Sequence, residues 1–209
     1  VAEETNAPAR RIRAMTVFLR PRETGSAAAS VEQFCRLAES AATNQIDLIC
    51  LPEGITVVGT GKQLVEVSEP VPGPTTERLG ALAKKLRSYV VAGLYERSAK
   101  LVFNTAVLID RGGRLVGTYR KTHLPREEWE AGITPGDRYP IFETDFGKLG
   151  MMICWDLQFP EPARALAASM MSVRGSSSPS TARRPMREVA ASASAEMRRL
   201  SAASRLASA

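Results

Sequence analysis

Residues 46–51, Ile-Asp-Leu-Ile-Cys-Leu, form a short, mostly apolar run without polar and apolar alternation. A strand of that kind has no face to give to water, so it must be covered on both sides, as in the layered α/β folds. Its neighbours agree with this. IRAMTVFL (12–19) reads as a strand, and Ser30-Val31-Glu32-Gln33 fits a capping box, with Ser30 as N-cap and Gln33 at the third helical position. Phe34, Leu37, Ala38 and Ala41 follow at helical spacing. Strand, helix and strand at this length make a βαβ unit.

The alternation continues downstream. Pro72-Gly73-Pro74 precedes a helix over TERLGALAKKLRS, with Leu79, Leu82, Ala83 and Leu86 on one face and Lys84 and Lys85 near the end where cations suit the dipole. YVVAGLY (89–95) reads as another buried strand. LVFNTAVLID and RLVGTYRK flank Arg111-Gly112-Gly113, which predicts a hairpin and therefore a mixed sheet. YPIFETD, the turn FGK, the strand LGMMIC and a helix over EPARALAASMM, with Pro162 in its first turn, complete the pattern.

The composition changes at about residue 172. Residues 172–209 hold ten Ser, nine Ala and seven Arg, with no aromatic residue and no strand pattern. A weak Ala-rich helix or disorder are the two outcomes such a composition permits. Two regions follow, 11–171 as an α/β domain and 172–209 as an aberrant Ser/Ala/Arg-rich tail. The tail carries seven Arg against Glu188 and Glu196, so +5 of the chain's +6 lies there and the rest is near neutral. Seven arginines without aromatic partners for bases make a weak case for nucleic acid, and none is expected as a partner.

No window reaches the roughly eighteen apolar residues of a membrane span, and VAEETNAPARRIRAM has no apolar core of a secretory signal. The expectation is a cytoplasmic protein that does not bind membranes. Three cysteines (Cys35, Cys50, Cys154), an odd number without framework spacing, argue for reduced thiols. With His123 as the single histidine and no Cys-x-x-Cys pair, neither a metal nor a cofactor is expected.

Several residues invite a chemical reading. Cys154 ends an apolar run in GMMICWDLQFPEP, where it is either a small buried hydrophobe or a nucleophile presented by the turn. Glu53 directly follows the strand IDLICL in Leu51-Pro52-Glu53-Gly54, although most loop glutamates are simply solvated. Lys121 ends the second hairpin strand in YRKTHLP, and His123 beside it reads as a hydrogen-bonded structural residue because no nucleophile-elbow pattern accompanies it. Gly59-Thr60-Gly61-Lys62-Gln63 fails as a phosphate loop, since Thr56 stands where the first Gly belongs and Gln63 where Ser or Thr belongs. Cys50, inside its strand, reads as core. Glu53, Lys121 and Cys154 thus share one kind of location, the end of a strand, where α/β folds assemble their sites.

DLICLPEG, YRKTHLP followed by TPGD, and GMMICWDLQFPEPARALA, in that order over residues 11–168, resemble the three motif regions of the nitrilase superfamily of carbon-nitrogen hydrolases. The resemblance implies a four-layer α-β-β-α sandwich, here partial, with a mixed sheet. It also implies hydrolysis of small amide or N-carbamoyl substrates by water, with Cys154 as nucleophile, Glu53 as general base and Lys121 as oxyanion stabiliser. The CWD sequence leans toward amidases or carbamoylases rather than true nitrilases. A second glutamate is expected within Arg126–Gly132, with Glu130 favoured and Glu128 next. Family members commonly form homo-oligomers, and they continue after ARALA with further strands and helices. In their place stands ASMMSVRGSSSPSTARRPMREV, which reads as a truncated or frame-shifted end and makes a non-catalytic interaction module the alternative function.

The chemistry of these residue types fits. A thiol has a pKa of ~8.5 and a glutamate ~4.3, so a Glu base acts on Cys only with help from burial and a nearby cation. Lys121 and the N-terminus of the following helix are expected to favour the thiolate of Cys154.

Overall fold

The computed structural model describes residues 11–20, 22–42 and 45–172. The chain divides into two units, Val1–Ser172 and Val173–Ala209, and every described residue lies in the first. The tail expected from the sequence at 172–209 lies, but for Ser172, outside the described residues.

Five strands form one mixed sheet in the order β1 (Ala14–Thr16), β2 (Leu48–Cys50), β3 (Tyr89–Ser98), β4 (Leu101–Ile109), β5 (Leu115–Arg120). β1, β2 and β3 pair in parallel, and β3–β4 and β4–β5 pair antiparallel. The first half is therefore built from crossovers and the second from a meander, as the position of the hairpin requires. Helices α1 (Ala27–Ala41) and α2 (Pro74–Leu86) cover one face of the sheet. There Val31, Phe34, Cys35, Ala38, Leu79, Leu82 and Ala83 pack on Ile49, Val90, Ala92, Leu94, Val107 and Ile109.

The opposite face receives the hairpin β6 (Ile141–Thr144) and β7 (Gly147–Gly150) and the segment after it. Phe142, Met151 and Ile153 pack on Ala106, Leu108 and Tyr119. A five-residue helix α3 (Arg126–Glu130), a 3₁₀ turn (Cys154–Gln158) and helix α4 (Pro160–Ser172) complete the described residues. Cis Val71-Pro72 leads into α2, whose first residue is Pro74, where a missing N–H costs nothing.

Three details depart from the sequence reading. Helix α1 begins four residues earlier than expected, with Ser26 as N-cap accepting from the Ala29 N–H at 3.2 Å. Ser30 lies inside the helix, buried, and donates to the Ile55 carbonyl at 2.7 Å. The strand expected over 12–19 is paired only at Ala14–Thr16, with one further bond from Val17 N to Cys50 O, and Phe18 is exposed. The strand expected over LGMMIC ends at Gly150, because its partner β6 begins at Ile141 after Pro140, which has no N–H to extend the ladder.

Cap and buried hydroxyl have distinct energetic signatures. Ser26→Ala removes a capping acceptor and should lower the unfolding free energy by about 1 kcal/mol. Ser30→Ala strands a carbonyl and should cost about 1–3 kcal/mol. Urea titrations of the two variants check this, and a Ser30→Ala chain as stable as the wild type would contradict the buried hydrogen bond.

Candidate active site

The alternation of side chains across a strand puts Tyr95, Asn104 and Lys121 in one row. Tyr95 and Asn104 are opposite each other in the β3–β4 register, and the Lys121 N–H bonds to the Asn104 carbonyl at 2.8 Å just beyond β5. The loop after β2 is laid along the same row by backbone bonds: Leu51 N to Val91 O at 2.8 Å, Gly93 N to Pro52 O at 3.0 Å and Ile55 N to Gly93 O at 2.9 Å. These bonds hold Glu53 over Gly93, where a Cβ would lie 2.7 Å from the Glu53 Cα, so only glycine permits the approach. On the far side the Thr-Pro-Gly-Asp loop clasps Lys121 through Gly136 N to Lys121 O at 2.8 Å.

Five side chains converge there. Lys121 Nζ, on a residue 1% exposed, lies 2.9 Å from Glu53 Oε1 and 3.0 Å from Glu128 Oε2. Asn104 Nδ2 donates to Glu53 Oε1 and to Glu128 Oε1, each at 2.6 Å, and the Tyr95 hydroxyl donates to Glu128 Oε1 at 3.4 Å. Burial opposes the ammonium of Lys121, but its hydrogen bonds to Glu53 and Glu128 outweigh it and raise the pKa above the ordinary lysine value. Lys121 therefore carries its charge throughout the neutral range.

The sequence reading placed Glu130 before Glu128, and the structure reverses their positions. Glu128 is buried in the cluster, whereas Glu130 is exposed and pairs with Arg126 at 2.7 Å. Two residues along a helix are about 200° apart, so only one of the pair can face the site.

Cys154 opens the 3₁₀ turn with φ +44°, a left-handed conformation that a non-glycine residue adopts only when its surroundings impose it. Its residue is exposed, unlike Cys35, which is buried. Burial, and after it the Glu53 carboxylate, push the thiol above its ordinary value, against the pull of Lys121. This direction is opposite to the thiolate expected from the sequence. Burial is the largest cause, and the carboxylates of Glu53 and Glu128 add to it; α4 itself begins only at Pro160, six residues further along the chain.

Asp156 fixes this turn to the lysine segment. Fully buried, it accepts from Ile153 N (3.0 Å) and the Tyr119 hydroxyl (2.7 Å) on Oδ2, and from the Thr122 hydroxyl (3.0 Å) and His123 N (2.9 Å) on Oδ1. His123 Nδ1 lies 3.1 Å from Oδ1 and its ring stacks on Phe159, which fits a structural histidine. Asn104 and Asp156 were not singled out from the sequence. The available signal was a lone amide inside the apolar strand LVFNTAVLID and an acid two residues after the cysteine. Among the described residues no group of three or more His, Cys, Asp or Glu is placed to hold a metal ion, and no helix is long and apolar enough to cross a membrane.

The comparisons with known proteins point in the same direction. The family model described as carbon-nitrogen hydrolase matches residues 17–205. A probable nitrilase of Schizosaccharomyces pombe is 39% identical over 125 residues, 56% of this chain and 45% of that protein. An N-carbamoylputrescine amidase of Solanum lycopersicum is 34% identical over 147 residues, 66% of this chain and 48% of that protein. The crystal structure of a carbon-nitrogen hydrolase from Helicobacter pylori superposes with a TM-score of 0.63 at 30% identity, covering 75% of this chain and 56% of that one. The chain spans about half the length of the curated relatives it matches.

The electrostatics of the sulfur can be titrated. Alkylation of Cys154 by iodoacetamide, followed on its own peptide by mass spectrometry, should rise with pH through a midpoint above that of a free cysteine. Glu53→Gln removes a negative neighbour and should bring the midpoint down. An unchanged midpoint in that variant would show that the carboxylate does not act on the thiol.

Proposed function

Because this chain belongs to the carbon-nitrogen hydrolase family, we propose that it hydrolyses the C–N bond of small primary amides or N-carbamoyl compounds through a cysteine thioester. The observation that carries the reading is the buried Lys121 held between Glu53 and Glu128, with Cys154 on a strained turn where the Glu53 carboxylate and Lys121 both act on its thiol. The Cys154 proton passes to Glu53 as the sulfur attacks the substrate carbonyl, so no free thiolate is needed beforehand. The Lys121 ammonium and a backbone N–H of the turn after Cys154 receive the developing oxyanion, an interaction whose loss typically costs about 10²–10³ in rate. Glu53 then returns the proton to the departing nitrogen, and in the second half it activates water to release the acid. Glu128 serves as the second carboxylate, holding Lys121 in place.

The substrate side of this reading rests on the carbamoylputrescine and nitrilase relatives and reaches no further than the amide and carbamoyl classes. The three free cysteines suit a reducing, cytoplasmic setting, and a homo-oligomer is the expected assembly. A second reading, an interaction module without turnover, is favoured by Trp155, Leu157 and Phe159, which are exposed around the nucleophile turn.

Ammonia release from a panel of primary amides and N-carbamoyl amines separates the two readings. Cys154→Ala should abolish release while leaving the far-ultraviolet circular dichroism unchanged. Glu128→Gln should lower the rate by about 10² or more, and Glu130→Gln should stay within about twofold. A wild-type chain silent on the whole panel, or turnover that survives in Cys154→Ala, would overturn the enzymatic reading.

A further inference from the structure

Asn104 has no role in the reading above, yet it bridges the two carboxylates of the cluster. Its residue is fully buried, and its two amide hydrogens are committed to two different carboxylates, Glu53 Oε1 and Glu128 Oε1, at 2.6 Å each. The orientation of the amide is forced. Reversing it would aim the carbonyl oxygen at two anions, and Oδ1 instead sits buried without a hydrogen-bond partner among the described residues. An unpartnered buried carbonyl is a cost that packing alone does not explain. The oxygens are unequally served: Glu53 Oε1 takes both Asn104 and Lys121, and neither donor touches Oε2.

We propose that Asn104 is a positioning residue that, with Lys121, occupies Oε1 of Glu53 and so leaves Oε2 as the oxygen that takes the Cys154 proton. This rests on the hydrolase reading given above. In the acylation step the S–H proton moves to Oε2, the S–C bond forms, and the carbonyl π pair moves onto oxygen. That pair then returns as the leaving group departs with its bonding electrons. The charged and titratable groups facing Asn104 are Tyr95 from β3, Glu53 from the loop after β2, Lys121 from the end of β5 and Glu128 from α3, with Cys154 beyond Glu53. With two carboxylates and one ammonium, the cluster needs a second, neutral donor to keep both carboxylates facing inward as acceptors. An amide is the side chain that supplies two N–H groups without a charge. Without it Glu53 is free to turn either oxygen, or neither, toward the sulfur.

The test is single-turnover acylation of Cys154 by p-nitrophenyl acetate, read as nitrophenolate release and as the acetyl adduct by intact mass. Asn104→Leu should lower the limiting acylation rate by about 10- to 100-fold while the half-saturating ester concentration stays within about threefold, a split expected when a transition-state interaction alone is lost. In the Glu53→Gln background the same substitution should cost less than about threefold further, because Asn104 acts through that carboxylate. Asn104→Ser, which keeps a hydroxyl donor and little bulk, supplies the same comparison if the Leu variant does not fold. Losses that multiply in the double variant, or a parallel rise in the half-saturating concentration, would show a merely structural role and overturn the proposal while leaving the hydrolase reading intact. Adduct formation that persists in Cys154→Ala would overturn both.

Discussion

Lys121 puts a positive charge where water reaches 1% of the residue, and the centre of the molecule is arranged around that fact. An ammonium taken out of water costs several kcal/mol unless it is paired and hydrogen-bonded. Two carboxylates provide the pairing, but two carboxylates repel one another, and the Asn104 amide provides the neutral donor between them. The loop after β2, strands β3 and β4, the residue just beyond β5, and helix α3 each contribute one member, so none of them can shift without breaking a hydrogen bond or an ion pair of the cluster. The same constraint that makes the site chemically capable therefore fixes the relative placement of the elements that build it.

The pleat of the sheet gives this arrangement a second polar row on its reverse side. Residues next to Tyr95, Asn104 and Lys121 in sequence are Glu96, Thr105 and Arg120, and they face the other way. Glu96 accepts from the Thr105 hydroxyl at 2.7 Å and pairs with Arg120, whose guanidinium lies 3.8 Å from the centre of the Phe103 ring. One row lines the candidate site and the other braces the same three strands. A register slip of one residue would exchange them, which is why the pairing of β3, β4 and β5 must be fully specified.

The parts of this site differ in how far the sequence reveals them. Glu53, Lys121 and Cys154 were legible as candidates because each reads as the end of a strand, a place that linear pattern can find. Glu128 was not separable from Glu130, since a helix of five residues has too little periodicity to show which face turns inward. Asn104 was hidden by its strand: on an apolar pattern a single amide reads as a tolerated exception, and only the three-dimensional row discloses its two acceptors. The mixed α/β order of elements was legible from their spacing. The start of α1 was not, because Ser26 and Ser30 both suit a cap and tertiary burial decided between them.

The raised thiol of Cys154 bears on a hazard that every exposed cysteine faces. Peroxides and electrophiles attack thiolates, and susceptibility to them follows thiolate character rather than exposure alone. A thiol raised by burial and by a neighbouring carboxylate has less thiolate character and is slower toward such reagents. Under the proposed mechanism the carboxylate that would take the proton also restrains the free thiol, so the sulfur can stand at the surface with less exposure to oxidation.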